Sequence, residues 1–180
     1  SLVYNWIDEF EKFAPTLKVL PVVGTKEERD ALHMEDYDVI ITTYNLLKRD
    51  LKMYSEREFD YCILDEAQYI KNPNAQNTKA AKQIKAKTRF ALSGTPMENS
   101  LMELWSIFDF IMPGYLYDKN RFSVRYYKKL KESPEVIEDL NRLIAPFILR
   151  RKKKDVIVEL PDKIEKTLMV TLDDKQKKVY

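Results

Sequence analysis

Tyr61-Cys-Ile-Leu-Asp-Glu-Ala-Gln68 is the stretch whose reading decides the fold. The mostly apolar run from Phe59 to Leu64 predicts a strand buried on both faces. It stops at two adjacent carboxylates, Asp65 and Glu66, followed by Ala67 and Gln68. In an open α/β sheet, ligands sit outside the carboxyl ends of the strands. The stretch therefore delivers two acids to the place where a nucleotide or a metal would bind. One carboxylate can hold Mg²⁺, and the next can orient or deprotonate a water. The same two acids can equally open a surface turn, because short acidic matches arise by chance.

Working outward, a second strand over Arg89–Leu92 runs into Ser93-Gly-Thr-Pro-Met-Glu-Asn99. It too ends in small hydroxyl residues at a turn. Two neighbouring strands delivering Asp-Glu-Ala-Gln and Ser-Gly-Thr-Pro resemble the Swi/Snf family of DNA-dependent ATPases, within the superfamily-two helicase-like proteins. Leu64-Asp-Glu-Ala-Gln-Tyr-Ile-Lys-Asn72 and Leu92-Ser-Gly-Thr-Pro-Met-Glu-Asn99 look like that family's second and third motifs. Glu103-Leu-Trp105, Phe110-Ile-Met-Pro-Gly114, the stretch from Leu149 through Arg150, Arg151 and Lys154 to Val156, and Leu160-Pro-Asp-Lys163 continue the likeness over nearly the whole chain.

The resemblance implies an α/β fold: a partial RecA-like parallel sheet flanked by helices, with a helical insertion and the start of a second lobe. It divides the chain into a partial first ATPase lobe (1–112), an insertion (113–147), and a basic linker with the first elements of a second lobe (148–180). It implies ATP and Mg²⁺ as ligands. Asp65 would hold Mg²⁺ through water, Glu66 would activate the attacking water, and Gln68 would bridge the nucleotide site to Ser93 and Thr95. It implies double-stranded-DNA contacts at Thr42, Thr43, Lys71, Asn72, Arg150 and Arg151. The activity implied is ATP-driven movement along DNA that displaces or remodels bound protein. A non-catalytic DNA- or protein-binding module built on the same lobe is the alternative.

Composition bounds these readings. At 180 residues, 44% hydrophobic and 33% charged, the chain can build a core and holds one domain or little more. A net charge of +2 neither demands nor excludes nucleic acid. The single cysteine, Cys62, rules out an internal disulfide framework and reads as a packed thiol. The single histidine, His33, cannot make a histidine metal cluster and reads as a surface residue. No apolar run approaches a membrane span. None of the three glycines lies in a G-x-x-x-x-G-K-[ST] loop. The chain is therefore expected to be a piece of a longer protein, inactive alone and prone to self-association. Its address would be cytoplasmic in a bacterium, which the lack of long insertions favours, and nuclear in a eukaryote.

The remaining pattern is alternating. Helical spacing covers 1–13 through Leu2, Val3, Trp6, Ile7, Phe10 and Phe13. Short strands are expected at 17–23 and 37–42. A charged helix lies between them over 25–32, with Glu27 to Asp30 facing water. Thr42 or Thr43 either caps a helix over 45–51 or meets a phosphate. A Lys-bearing helix covers 75–86, with Ala81 and Ile84 inward. An apolar helix covers 99–112, and two further helices span about 119–131 and 134–145. A strand over 163–171 and a helix from 172 close the chain.

Overall fold

A computed structural model gives the structure of the protein and describes residues 2–94, 100–129 and 134–151. The strand over 163–171 and the helix from 172 lie outside the described residues. The chain divides into two compact units, 1–140 and 141–180.

The first unit opens with helix α1 (Leu2–Phe13). Strand β1 (Val19–Pro21) is linked through helix α2 (Lys26–Asp30) to strand β2 (Val39–Ile41). The pair is parallel, with Val19 opposite Val39. Thr25 caps α2 in a capping box with Glu28. Glu27 to Asp30 were expected to face water, but Arg29 is buried. Its Nε donates to Asp50 Oδ2 at 2.6 Å and its Nη1 to the Gly24 carbonyl at 2.6 Å. A charge leaves water when a partner carboxylate and a backbone acceptor replace its hydration. Asp50 stands between helix α3 (Tyr44–Arg49) and helix α4 (Leu51–Ser55), where one helix was expected.

Strand β3 (Glu58–Leu64) is followed by helix α5 (Gln76–Lys82) and strand β4 (Lys85–Ala91). β3 and β4 run parallel, with Tyr61 opposite Thr88 and Ile63 opposite Phe90. Parallel neighbours joined through a helix are the βαβ unit. Among the described residues, the strands form two two-stranded sheets rather than one continuous sheet. A shared core joins the halves: Leu20 and Val22, Leu64, Ala80 and Ala81 of α5, and Ile107 and Phe110 of helix α6 (Leu101–Ile111).

Burial of β3 on both faces does not hold. Tyr61 is 65% exposed and Ile63 56%, and Phe90 of β4 is 48% exposed. The Tyr61 and Phe90 rings stack, with centroids 6.4 Å apart, on a face that lies open among the described residues. Cys62, on the other face, packs against the core, and burial pushes its thiol pKa up. His33 is exposed, as expected.

After α6 come helix α7 (Lys119–Phe122), a π-helical turn (Ser123–Tyr127) and helix α8 (Pro134–Ile144). Trp105 Nε1 donates to the Tyr117 carbonyl at 3.2 Å, fixing the start of this segment to α6. Tyr126 is fully buried and its hydroxyl donates to Asp139 Oδ2 at 2.9 Å. Among the described residues, no helix is long and apolar enough to cross a membrane.

Candidate functional site

The two acids stand at the carboxyl end of β3, where the sequence puts them. Ladder bonds continue past the strand ends: Leu92 N donates to the Leu64 carbonyl at 2.7 Å, and Ala67 N to the Leu92 carbonyl at 2.8 Å. They hold Asp65–Gln68 beside Ser93. Glu66 takes a left-handed conformation, φ 48° and ψ 51°. A non-glycine residue pays a strain there that persists only where surrounding bonds over-determine the turn. The following 3₁₀ turn, Ala67–Ile70, buries Ala67 and Ile70.

Both oxygens of Asp65 are engaged. Glu66 N donates to Oδ1 at 2.8 Å, and the Trp6 indole N–H donates to Oδ2 at 2.9 Å. The Tyr44 hydroxyl donates to the Asp65 backbone carbonyl at 2.8 Å. Burial, and then the Asp65 charge, raise the Tyr44 pKa and keep the hydroxyl a donor. Its ring packs on Tyr69, centroids 5.3 Å apart. The Gln68 amide bridges two groups. Its Nε2 donates to Glu66 Oε2 at 2.6 Å, while its Oε1 accepts from Ser93 Oγ at 3.1 Å. The chain Glu66–Gln68–Ser93 thus links the ends of two neighbouring parallel strands.

The donor set suits Mg²⁺. Each Asp65 oxygen takes one N–H and keeps a second lone pair. Among the described residues, no group of three or more His, Cys, Asp or Glu could hold a metal ion. One carboxylate completed by water and substrate phosphates is how Mg²⁺ is commonly held.

The other expected site residues are dispersed. Thr43 caps α3, its hydroxyl accepting from Leu46 N at 3.3 Å, while Thr42 Oγ1 donates to the Val22 carbonyl at 3.3 Å. Lys71 is buried, with Nζ 3.6 Å from Glu103 Oε2, so its ammonium is turned into the fold. Asn72 is exposed, and its Oδ1 accepts from Asn74 N at 2.9 Å. Thr95 lies outside the described residues. Arg150 and Arg151 are exposed in the second unit. Along α5, Lys79 is exposed, whereas Lys82 is paired with Asp109 and lies over the Trp105 ring. Trp6 and Tyr44 were missed as site residues. Helical spacing assigns Trp6 to an apolar helix face, and no local pattern pairs either residue with Asp65.

A site of this kind, on parallel strands with helical crossovers, belongs to an ATPase-type lobe. The chain matches the SNF2-related domain family over residues 1–180 and belongs to it. The Sulfolobus solfataricus SWI2/SNF2 ATPase core solved in complex with double-stranded DNA is 43% identical. It superposes with a TM-score of 0.79 over 92% of this chain and 35% of that one. The fold is therefore RecA-like, as the sequence implied. An uncharacterized ATP-dependent helicase of Mycoplasma genitalium is 41% identical over all of this chain, which covers 17% of that protein. The TATA-binding protein-associated factor MOT1 of Saccharomyces cerevisiae is 38% identical, again over all of this chain and 10% of its own length. The chain thus spans a small part of the relatives it matches.

Proposed function

We propose that the protein containing this chain is an ATP-dependent double-stranded-DNA translocase of the remodelling type, and that this chain supplies its catalytic acids. The observation that carries the reading is the Glu66–Gln68–Ser93 bridge between two strand ends. A bridge at that place can pass the state of the nucleotide to the neighbouring motif. Bound Mg²⁺ supplies charge neutralisation on the phosphates. Asp65 would hold the ion through water, each of its oxygens being fixed on one side by an N–H. Glu66, presented by its left-handed turn, receives the proton of the attacking water. Gln68 holds the Glu66 carboxylate in place from one side. Thr43, Asn72, Arg150 and Arg151 contact the DNA backbone; Thr42, whose proton goes to the Val22 carbonyl, and Lys71, paired with Glu103, join them where those links open.

The 180-residue chain taken alone is inactive, because turnover needs phosphate-binding groups that its sequence does not carry. Its open face at Tyr61, Ile63 and Phe90 supports self-association when it stands alone. The test is ATP turnover by the full-length parent with and without double-stranded DNA, beside Glu66→Gln. The variant should lose about 10²- to 10⁴-fold in rate and keep nucleotide binding. A folded parent with no turnover under any DNA condition would favour the binding-module reading instead.

A further inference from the structure

Trp6 has a place in the site that helical periodicity alone does not explain. It lies in the first half of α1, 59 residues from Asp65, yet its indole N–H meets Asp65 Oδ2 at 2.9 Å in a partly buried setting. We propose that Trp6 is a positioning residue for Asp65: it fixes the orientation of the carboxylate that holds Mg²⁺, and so ties α1 to the nucleotide site. This rests on the ATPase reading above.

A carboxylate at a strand end can rotate about its last torsion, which is broad and roughly two-fold. Glu66 N, at 2.8 Å from Oδ1, comes from the adjacent residue and moves with the turn. Trp6 comes from a separate helix, so its bond holds the second oxygen against an independent frame. The indole is a donor only. It can neither take a proton from the site nor ligate the metal, so its single N–H leaves the second lone pair of Oδ2 free. Phe10, one turn on, packs beside the ring, with centroids 6.4 Å apart. The Tyr44 bond to the Asp65 carbonyl fixes the backbone from α3. Asp65 is thus braced from two helices, of which only α1 reaches the carboxylate. Groups that orient a metal-holding side chain in this way typically change metal affinity or activity 10- to 100-fold when removed.

The test uses the full-length parent and Trp6→Phe, which keeps an aromatic ring and deletes the N–H. The probe is N-methylanthraniloyl-ADP, its fluorescence titrated with Mg²⁺ in the absence of turnover. Half-saturating Mg²⁺ should rise roughly tenfold in the variant. Nucleotide affinity without Mg²⁺ should stay at the wild-type value, and the thermal midpoint should fall by no more than the few degrees that one hydrogen bond is worth. At saturating ATP and DNA, kcat should fall by the same order with KM for ATP unchanged. A wild-type Mg²⁺ requirement in folded Trp6→Phe overturns the proposal. So does an equal loss of Mg²⁺-free nucleotide affinity, which would mark a merely structural role. If the variant does not fold, replacing Trp6 with benzothienylalanine keeps the ring shape without the N–H and decides the same question. A wild-type parent that binds nucleotide with Mg²⁺ but shows no DNA-stimulated turnover overturns the ATPase reading, and the Mg²⁺ shift still judges Trp6. A folded parent with no Mg²⁺-dependent binding overturns both.

Discussion

Ile70 closes the turn that carries Glu66 and Gln68, and its carbonyl is buried. Two hydroxyls surround it: Ser106 Oγ at 2.6 Å and Thr78 Oγ1 at 3.2 Å. Thr78 and Ser106 are both fully buried. A hydroxyl has one proton to donate. The Thr78 proton goes to the nearer Asn72 carbonyl at 2.6 Å, which also accepts from Ala75 N at 3.1 Å. Thr78 is therefore a reserve donor for Ile70, able to turn because Asn72 has a second partner. Ser106→Ala alone should cost about 1 kcal/mol, one neutral hydrogen bond. Thr78→Val, close in shape, should cost about the same for the same reason. The double variant leaves the Ile70 carbonyl buried without a donor from either hydroxyl, which adds about 1–3 kcal/mol beyond the sum. The assay is amide hydrogen exchange by mass spectrometry on peptides spanning 64–82 of the parent protein. Each single variant should speed exchange there about fivefold, and the double variant by well over the product of the two. Strictly multiplicative rates in the double variant would refute the reserve-donor argument.

Other consequences follow from the same geometry. Ser93→Ala removes the far end of the Gln68 bridge, a bond of about 1 kcal/mol. Stimulation of turnover by DNA should fall several-fold while turnover without DNA is unchanged, and equal loss in both would deny the bridge a coupling role. Arg29, through its hydrogen bond first and its charge next, holds the Asp50 carboxyl below its ordinary range. That stabilisation is fully present above the unfolded carboxylate value of about 3.9 and is lost as pH falls through the lowered folded value. Asp50→Asn should therefore be less stable at neutral pH and show a flatter acid limb in unfolding followed by circular dichroism. An unchanged acid limb would mean that the pair does not set it.

Much of the site was legible because its information is local. An apolar run that ends in two acids fixes a strand and the end at which the acids emerge. A threonine before a helix predicts its own cap, and Thr43 makes it. Ala81 and Ile84, expected inward on a helix over 75–86, are buried, but α5 ends at Lys82 and Lys85 already belongs to β4. What could not be read is partner choice across the chain. Arg29 looked like one more charge on a solvated helix, and only its meeting with Asp50, 21 residues on, takes it inside. Lys71 looked like a base beside a DNA-contacting asparagine, until the Glu103 carboxylate of α6 drew it in. In each case the side chain's type was clear, and the deciding acid lay on another element.

The misreading of β3 has a different origin. An apolar run states that both faces of a strand can be covered, not that both are covered by the elements in hand. On β3 the two faces separate cleanly. Leu64 and Cys62 meet the core, while Tyr61 and Ile63 stay open beside Phe90. The open face carries the same residue types as the covered one, so its composition reflects burial for which these elements provide no cover. Trp6 is the complementary case. It is apolar enough to be assigned to a core face, yet only half buried, and its one polar atom is spent on a carboxylate. Apolar pattern records what a surface can tolerate; a polar atom brought to a half-buried acid records what that surface is for.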